Sequence, residues 1–316
     1  MLELVTLDPE FHRLFSLLSM HQVMISDKIR MEKFSRAIFE VVKKGDVVVD
    51  VGTGTGILAF LAIKAGAKKV YAIEKTKIIK VAEEIAKVNG WEDKIVFIHA
   101  DSNEITLPER ADVVISETIG HMGLAENFLQ NIIHARDTFL KPGGMMIPCE
   151  IEIYAAPVEC EDAYQVVSFW NQRPYGIDFS SAARSARARA YVYGFTTEDL
   201  LANGIRLASL NLSTVQATNV STSVDFSIER NGILHGFCGW FIASLSKAIS
   251  LNSSPSSKAT HWKQVFLPLN VPEKVSAGGK VKLEIELSHG KEAQIWKWEQ
   301  RIVNCRRNLA FNLYKA

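Results

Sequence analysis

Two hydrophobic patterns divide the chain of 316 residues. In the first half, apolar runs such as Val47–Val51 alternate with helical stretches, which is typical of a mostly parallel, doubly wound α/β sheet. From Ile147 onward, apolar and polar positions alternate with period two, as in Val281–Leu287, and no strand–helix–strand spacing recurs. We therefore predict a Rossmann-like domain with N-terminal helices at residues 1–148, followed by an antiparallel β-barrel domain at 149–316.

Local signals place the elements of the first half more closely. A helix is predicted from about Ile57 to Lys64, because Gly66 follows it, and another from about Thr76 to Val88, because Asn89-Gly90 follows. The run Ala111–Ser116 reads as a buried strand. In such sheets, ligands bind at the carboxyl ends of the strands.

Composition narrows the class of protein. No apolar run approaches the roughly 20 residues needed to span a bilayer, and the formal net charge is only +1, without a basic block suited to nucleic acid. The four cysteines lie far apart and lack the paired spacing of a zinc or redox site. We expect a cytoplasmic protein that binds no membrane, no nucleic acid and no metal.

A glycine-rich turn follows the first buried strand. The segment Gly52–Gly56 spaces its glycines as G-x-G-x-G, and Glu74, at the end of the next strand, stands where an acid meets ribose hydroxyls. Because this spacing disfavours a dinucleotide, a cofactor with an adenosine but no phosphate fits better, and S-adenosylmethionine is one. Asp101 and Asn103 follow the third strand, and either could meet the adenine amino group.

Two glutamates are the strongest chemical signal. Glu117 and Glu126 lie nine residues apart, directly after the strand Ala111–Ser116. A carboxylate can accept two parallel hydrogen bonds from a guanidinium group, so a converging pair would hold and polarise an arginine side chain. The simpler alternative is that Glu117 closes a strand and Glu126 favours a helix N-terminus. The glycine-rich turn upstream, which would open onto the same crevice, favours the enzyme.

With these pieces in place, the chain resembles the protein arginine methyltransferases over most of its length. Ser116–Glu126 looks like the double-glutamate loop of that family, and Ala135–Asp137 with Leu140–Gly144 is similar to the helix and turn that follow it. Thr260–Gln264 matches the family's threonine-histidine-tryptophan loop. His21–Arg30 looks like the helix that covers the cofactor.

The resemblance implies transfer of a methyl group from S-adenosylmethionine to a guanidinium nitrogen of arginine in a protein or peptide, with S-adenosylhomocysteine as product. It also implies a homodimer formed through a helical arm at about 168–200. Two alternatives stay open: a methyltransferase of free arginine or another small guanidine, and a non-catalytic cofactor-binding regulatory protein of the same fold. Glu117, Glu126 and His261 argue against the second, since a scaffold needs no guanidinium clamp.

The resemblance also assigns the site. Glu117, Glu126 and the pair Asp27 and His261 are the predicted catalytic residues, and that pair links the covering helix to the β domain and relays a proton. Arg30 suits the carboxylate of the methionine moiety. The predicted cofactor-binding residues are Met24, Arg30, Asp50, Gly52, Thr53, Gly54, Gly56, Ile57, Leu58, Glu74, Lys75, Asp101, Ser102, Asn103 and Glu117.

The chain departs from the family at the walls of the pocket. Phe11 and Phe15 stand where the family usually carries tyrosines, and Thr118 and Ile119 replace a tryptophan and a methionine. Asn103 replaces an expected adenine-binding acid. These changes leave the two glutamates in place but alter the pocket around the substrate, so the identity of the substrate stays open.

Overall fold

The first half of the chain folds into a five-stranded parallel sheet, as predicted. A computed structural model describes residues 3–4, 15–289, 294–302 and 309–315; Phe11 lies outside these ranges. The strands are β1 (Glu3–Leu4), β2 (Val47–Val51), β3 (Lys69–Glu74), β4 (Ile95–His99), β5 (Ala111–Ser116) and β6 (Leu140–Ile147). Apart from β1, they form one sheet in the order β4-β3-β2-β5-β6. All five residues of the central strand β2 are buried, Asp50 among them, in keeping with its otherwise apolar sequence.

Helices cover this sheet: α1 (Leu18–Ser26), α2 (Lys28–Val41), α3 (Ile57–Ala65), α4 (Ile79–Val88) and α5 (Phe128–Phe139). Asp27 caps α2, because its carboxylate accepts a bond from the Arg30 amide at 3.0 Å. Gly66 ends α3 in the left-handed conformation, at φ 115°. Helix α4 begins three residues later than predicted, since the Thr76 amide bonds to Glu74 at 2.8 Å and holds a turn.

The second half forms two antiparallel sheets, which confirms that part of the predicted fold class. The strands are β7 (Glu150–Val158), β8 (Tyr191–Tyr193), β9 (Ile205–Asn211), β10 (Val220–Ser227), β11 (Gly232–Ser244), β12 (Ser250–Asn252), β13 (Gln264–Val275), β14 (Lys280–His289), β15 (Gln294–Ile302) and β16 (Leu309–Lys315). One sheet has the order β1-β8-β13-β11-β7-β9, with β12 paired to β11, and the other has the order β10-β14-β15-β16. The rings of Phe226 and Phe237 meet across the two sheets at 5.4 Å.

A helical excursion leaves the first of these sheets between β7 and β8. It comprises α6 (Glu161–Ser168), two short helical turns and α7 (Ser180–Arg187). The excursion begins seven residues before the predicted arm at 168–200. The chain returns to the sheet inside that range, since β8 pairs with β13 through Tyr191, Val192 and Tyr193.

One hydrophobic core runs through both halves. Ile147 at the end of β6, Ile151 in β7 and Phe241 in β11 belong to the same buried cluster. The parallel sheet therefore packs directly on the antiparallel one, and the carboxyl ends of β2 and β5 face the junction. Among the helices that the structure describes, none has the length and apolar character needed to cross a membrane.

Candidate active site

A cavity of about 390 Å³ opens at the carboxyl ends of the parallel strands, against the antiparallel half. It brings together most of the predicted site. The predicted residues that line it are Met24, Arg30, Gly52, Thr53, Gly54, Ile57, Leu58, Glu74, Lys75, Asp101, Ser102, Asn103, Glu117, Glu126 and His261. Asp27, Asp50 and Gly56 lie behind this lining, so they act on the cavity through their neighbours.

The glycine-rich turn needs its glycines for two reasons. Gly52, Gly54 and Gly56 have φ of 74°, 55° and 88°, a region that other residues rarely adopt. A Cβ atom at Gly54 would lie 2.6 Å from the ring of His21, and one at Gly52 would lie 2.5 Å from Thr118. The turn therefore exposes its backbone to the cavity, with side chains of other elements closing over it.

Asp50 supports this turn from beneath. Its Oδ2 atom accepts bonds from the Thr53 hydroxyl at 2.6 Å and the Ala59 amide at 3.1 Å. Burial raises the pKa of Asp50 to about 7, although these bonds oppose the shift, and the negative charges of Glu74 and Glu117 add to it. Since Asp50 is outside the cavity, it positions the turn rather than contacting a ligand.

Two further acidic strand ends face the cavity. The Glu74 carboxylate accepts bonds from the amides of Gly54 at 3.1 Å and Thr76 at 2.8 Å, so β3 is tied to the turn. Asp101 accepts from the backbone amide and the side-chain amide of Asn103, both at 2.9 Å. Asp101 and Asn103, left as alternatives by the sequence, thus form one hydrogen-bonded unit.

Glu117 forms a buried ion pair with Arg30. The Arg30 Nε atom donates to Glu117 Oε2 at 2.7 Å, and Nη2 donates to the same oxygen. Arg30 Nη1 also donates to the carbonyl oxygen of Met24 at 3.1 Å. The sequence placed Arg30 beside the cofactor but did not anticipate this contact, because the two partners lie 87 residues apart.

Glu126 differs from Glu117 in its electrostatic surroundings. It lines the cavity as a half-buried residue with φ of 64°. Burial raises its pKa to about 8, the negative charge of Glu117 adds to the shift, and Lys75 opposes it. Burial therefore disfavours the charged form of Glu126, while Glu117 is paired with a cation.

Asp27 and His261 join the two halves of the molecule. The Asp27 Oδ2 atom accepts from both the backbone amide and the Nδ1 atom of His261, each at 2.9 Å. Burial opposes ionisation of Asp27, but the hydrogen bonds from His261 and Arg30 prevail and lower its pKa to about 2. His261 lines the cavity and Asp27 orients it.

The antiparallel half also holds the loop that carries the two glutamates. The Trp262 Nε1 atom donates to the Ile119 carbonyl at 2.7 Å, and the Trp262 carbonyl oxygen lies 3.1 Å from Nδ1 of His121. The side chain of Met122 packs against Gly239 of β11. A Cβ atom added at Gly239 would lie 2.6 Å from the sulfur of Met122. The sequence indicated Trp262 only as part of the threonine-histidine-tryptophan loop. Nothing in the sequence indicated which residues it contacts.

The cavity has further lining residues that the predicted site does not contain. They are Phe15, Met20, His21, Val23, Ile25, Val51, Thr55, Ile73, Thr76, Ala100, Thr118, Ile119, His121, Asn127, Gln130, Asn131 and Trp262. Most of them are adjacent in the sequence to predicted residues, and this adjacency is the only feature of the sequence that could have indicated them. Gln130 and Asn131 lie on α5, but Glu126 precedes that helix with φ of 64°, so helical spacing from Glu126 does not indicate them.

Two family models match the chain. The model described as the arginine methyltransferase oligomerization subdomain matches residues 150–300. The model described as ribosomal protein L11 methyltransferase (PrmA) matches residues 35–152, which include the glycine-rich turn and the glutamate loop. The two matches meet near the point where the parallel sheet gives way to the antiparallel one.

Whole-chain relatives are also similar. The chain is 36% identical over 293 residues to protein arginine N-methyltransferase 6 of Danio rerio, covering 88% of this chain and 84% of that protein. It is 31% identical over 332 residues to probable protein arginine N-methyltransferase 6 of Arabidopsis thaliana, covering 90% and 76%.

Among solved structures, the Trypanosoma brucei PRMT1 enzyme-prozyme heterotetrameric complex with AdoHcy superposes with a TM-score of 0.87 at 26% identity, covering 95% of this chain and 99% of that one. A crystal structure of PRMT6-SAH superposes with a TM-score of 0.69 at 26% identity, covering 95% of this chain and 100% of that one. The likeness therefore spans both halves of the fold and the cavity between them.

Proposed function

Since the chain belongs to the protein arginine N-methyltransferase family, we propose that it transfers a methyl group from S-adenosylmethionine to a guanidinium nitrogen of arginine in a protein or peptide. One observation carries this proposal: a single cavity is lined by the glycine-rich turn and by both carboxylates, Glu117 and Glu126. A donor seated on the turn and an arginine held by the carboxylates would lie side by side.

The residues around the turn suit S-adenosylmethionine, which supplies a methyl group on a positively charged sulfur. Glu74 uses its carboxylate for two backbone amides, and a carboxylate has about four acceptor positions, so two are left for ribose hydroxyls. Asp101, Ser102 and Asn103 stand where the adenine would lie. Arg30, a permanently charged fork, suits the carboxylate of the methionine moiety.

The two glutamates would hold the substrate. Both bonds from Arg30 go to Oε2 of Glu117, and Oε1 is the acceptor that we assign to the substrate guanidinium. A cation entering beside Glu126 lowers the pKa of that residue and releases its proton, because a positive neighbour favours the charged form. The paired carboxylates then concentrate the positive charge on two nitrogens and leave more electron density on the third.

The third nitrogen of the guanidinium group is the one that attacks the methyl carbon. Fixed carboxylates keep it in line with the methyl carbon and the sulfur, and this orientation supplies the entropic part of the acceleration. A proton leaves the nitrogen as it is methylated, and Glu126 or the Asp27–His261 pair can accept it.

Production of S-adenosylhomocysteine tests the function. The purified protein is compared with an arginine-rich peptide, free arginine and no acceptor, beside the variants Glu117→Gln and Glu92→Gln. Glu92 is exposed and lies outside the cavity, so its variant controls for the loss of a charge. We expect peptide-dependent turnover that only Glu117→Gln abolishes, with cofactor affinity largely kept. Turnover on free arginine but not on the peptide would support the alternative of a small-guanidine methyltransferase. Cofactor binding without turnover on any acceptor would support the alternative of a non-catalytic regulatory protein.

We also propose a homodimer in which the helical excursion of one subunit packs on the methyltransferase half of the other. Its large apolar side chains Phe169, Tyr175 and Ile177 are exposed, Tyr175 completely. Helix α1 and the residue before it expose Leu17, Leu18, Val23 and Ile25. Three exposed apolar side chains on the excursion and four on or beside α1 support an interaction between these two elements of different subunits.

Light scattering after size-exclusion chromatography tests the dimer. Tyr175→Ser should weaken it, whereas Val88→Ser, which removes an exposed apolar side chain on α4, should not. A protein that stays monomeric at high concentration would contradict the assignment of the arm.

We further propose that residues 1–148 and 149–316 are separate domains, that the second closes as a β-barrel, and that the protein is cytoplasmic. The change from parallel to antiparallel pairing falls between Ile147 and Glu150. Cys149, Cys160 and Cys238 are free thiols, as expected in a reducing compartment. A fragment of residues 1–148 that fails to fold by itself would count against the boundary, and cell fractionation tests the location.

A further inference from the structure

A chain of hydroxyl groups links the glutamate loop to the strand that carries the glycine-rich turn. Ser116, the last residue of β5, pairs with Val51, the last residue of β2. The Ser116 hydroxyl donates to the Val51 carbonyl oxygen at 3.2 Å, and the hydroxyl oxygens of Ser116 and Thr118 lie 3.1 Å apart. A serine hydroxyl has one proton to donate, and Ser116 gives it to Val51. Thr118 must therefore be the donor to Ser116, which fixes the direction of both bonds.

The methyl group of Thr118 makes a second link, to the turn itself. A Cβ atom added at Gly52 would lie 2.5 Å from the Cγ2 atom of Thr118, so this methyl group packs directly on the Gly52 backbone. Threonine is branched at Cβ, which restricts its χ1 angle, and here both branches are in contact at once. A tryptophan, which the family usually carries at this position, has neither group. The two links therefore belong to this chain.

The two links lie on either side of Glu117. Ser116 precedes Glu117 and Thr118 follows it, and both neighbours are bonded to or packed on the end of β2 and its turn. Gly52, Glu117 and Thr118 all line the cavity. The turn that would seat the methyl donor and the carboxylate that would hold the substrate are therefore joined through Ser116 and Thr118.

The geometry of the proposed reaction makes this connection matter. Methyl transfer requires the attacking nitrogen, the methyl carbon and the sulfur to lie in line. Glu117 would position the nitrogen and the turn would position the sulfur, so the distance between Glu117 and the turn decides the alignment. A misplacement of about 1 Å can slow an enzymatic step about 100-fold.

We propose that Ser116 and Thr118 are positioning residues that fix the distance between the glycine-rich turn and Glu117, and so align the methyl donor with the substrate nitrogen. This inference rests on the proposed function. Both residues act through their neighbours, Glu117 and Gly52. Loss of the connection therefore slows the transfer step while the cofactor and the peptide still bind.

Three substitutions at position 118 separate the two links. Thr118→Val keeps a methyl group and loses the hydroxyl, Thr118→Ser keeps the hydroxyl and loses the methyl group, and Thr118→Ala loses both. We expect the single-turnover rate on the arginine-rich peptide to fall about 100-fold in Thr118→Ala and about tenfold in each of the other two. KM for the peptide and the Kd for S-adenosylhomocysteine should change only a few-fold. Thr214→Val is the matched control, because Thr214 is exposed and lies outside the cavity.

A double variant tests the chain of hydroxyl groups. Ser116→Ala breaks the same chain as Thr118→Val, so the two changes together should slow transfer no more than either change alone. Losses that multiply would show that the two hydroxyls act independently, and would overturn the chain. A raised KM with an unchanged rate in Thr118→Ala would mean that Thr118 only contacts the substrate, and it would overturn the inference.

Crystal structures with S-adenosylhomocysteine give a readout that does not depend on turnover. In Thr118→Ala, the distance between the Cα atoms of Gly52 and Glu117 should differ from that in the wild type by more than about 0.5 Å, the tolerance of a productive site. An unchanged distance overturns the inference even if the rate has fallen. Absence of wild-type turnover on any acceptor would instead defeat the proposed function, and these structures would still decide whether Thr118 sets the distance.

Discussion

The glycine-rich turn after β2 and the glutamate loop after β5 end neighbouring strands and face the same cavity, yet they are held in different ways. The turn is bonded within its own half, by Asp50 to Thr53 and by Glu74 to Gly54. The glutamate loop is tied to its own half by the pairing of Glu117 with Arg30, and it is also held from the antiparallel half, by Trp262 at Ile119.

The difference teaches that the two parts of the proposed site depend on different portions of the molecule. The bonds that hold the glycine-rich turn lie within the parallel-sheet half, whereas the glutamate loop also depends on a contact with the antiparallel half. Changes at the contact between the halves should therefore affect turnover far more than cofactor binding, and changes in the turn should do the reverse.

Among changes that test this difference between the two parts, the largest effect should come from Trp262→Phe, which removes the bond to the Ile119 carbonyl. A buried carbonyl left without its donor costs about 1–3 kcal/mol, so we expect kcat/KM for the peptide to fall about 10- to 100-fold. Calorimetry should find the affinity for S-adenosylhomocysteine near that of the wild type.

Trp298→Phe is the control for this change. Trp298 is buried, but its Nε1 atom has no hydrogen-bond partner within the described part of the chain. The control should cost stability through packing and leave kcat/KM nearly unchanged. Equal losses of cofactor affinity and turnover in Trp262→Phe would contradict the separation of the two parts.

Gly54→Ala should give the opposite result. Alanine is strained at this φ by about 1–2 kcal/mol, and its Cβ would press on the ring of His21. We expect the Kd for S-adenosylhomocysteine to rise about tenfold, as measured by calorimetry. Gly143→Ala is the control, since Gly143 also has a positive φ, 76°, but a Cβ there meets nothing within 4 Å. If Gly54→Ala and Gly143→Ala bind S-adenosylhomocysteine with the same Kd, the glycine-rich turn does not determine cofactor affinity.

Gly239→Ala tests the same contact between the halves more gently. The new methyl group would lie 2.6 Å from the sulfur of Met122, and a flexible methionine can yield part of that distance. We expect a few-fold loss of kcat with unchanged cofactor affinity. Gly194→Ala is the control, because a Cβ atom at Gly194 meets nothing within 4 Å. It should change neither kcat nor the cofactor affinity. If Gly239→Ala and Gly194→Ala have the same steady-state kinetics, Met122 does not position the glutamate loop.

The smallest effect concerns pH and stability. The pKa of Glu126 rises from 4.5 to about 8 on folding, so between these values the folded protein holds a proton that the unfolded chain releases. Stability should therefore decline as pH rises through this window, and the raised pKa of Asp50 acts in the same direction.

In Glu126→Gln, melting temperatures recorded across this window should decline less steeply than in the wild type. Glu92→Gln should keep the wild-type slope, because Glu92 is exposed. An unchanged slope in Glu126→Gln would mean that Glu126 ionises normally in the folded protein.

Local patterns in the sequence predicted strands β2 to β5 of the parallel sheet, but not β6, because Leu140–Gly144 was interpreted as a turn and instead begins that strand. Ala111–Ser116 was predicted to the residue, because a short, mostly apolar run between turn signals leaves few alternatives. Helix α4 was predicted three residues too early, since the bond from Thr76 to Glu74 has no periodic signal. The antiparallel pairing was also predicted, whereas the start of the helical excursion was not.

By itself, the sequence determined where strands and helices form, which strand ends carry the glycine-rich turn and the two glutamates, and the family to which they point. The tertiary structure decided that Arg30 pairs with Glu117, that Trp262 holds the loop, and that burial raises the pKa of Glu126. The physical reason is that periodicity and turn chemistry act between near neighbours, while a hydrogen bond or a pKa depends on which distant groups share one buried volume.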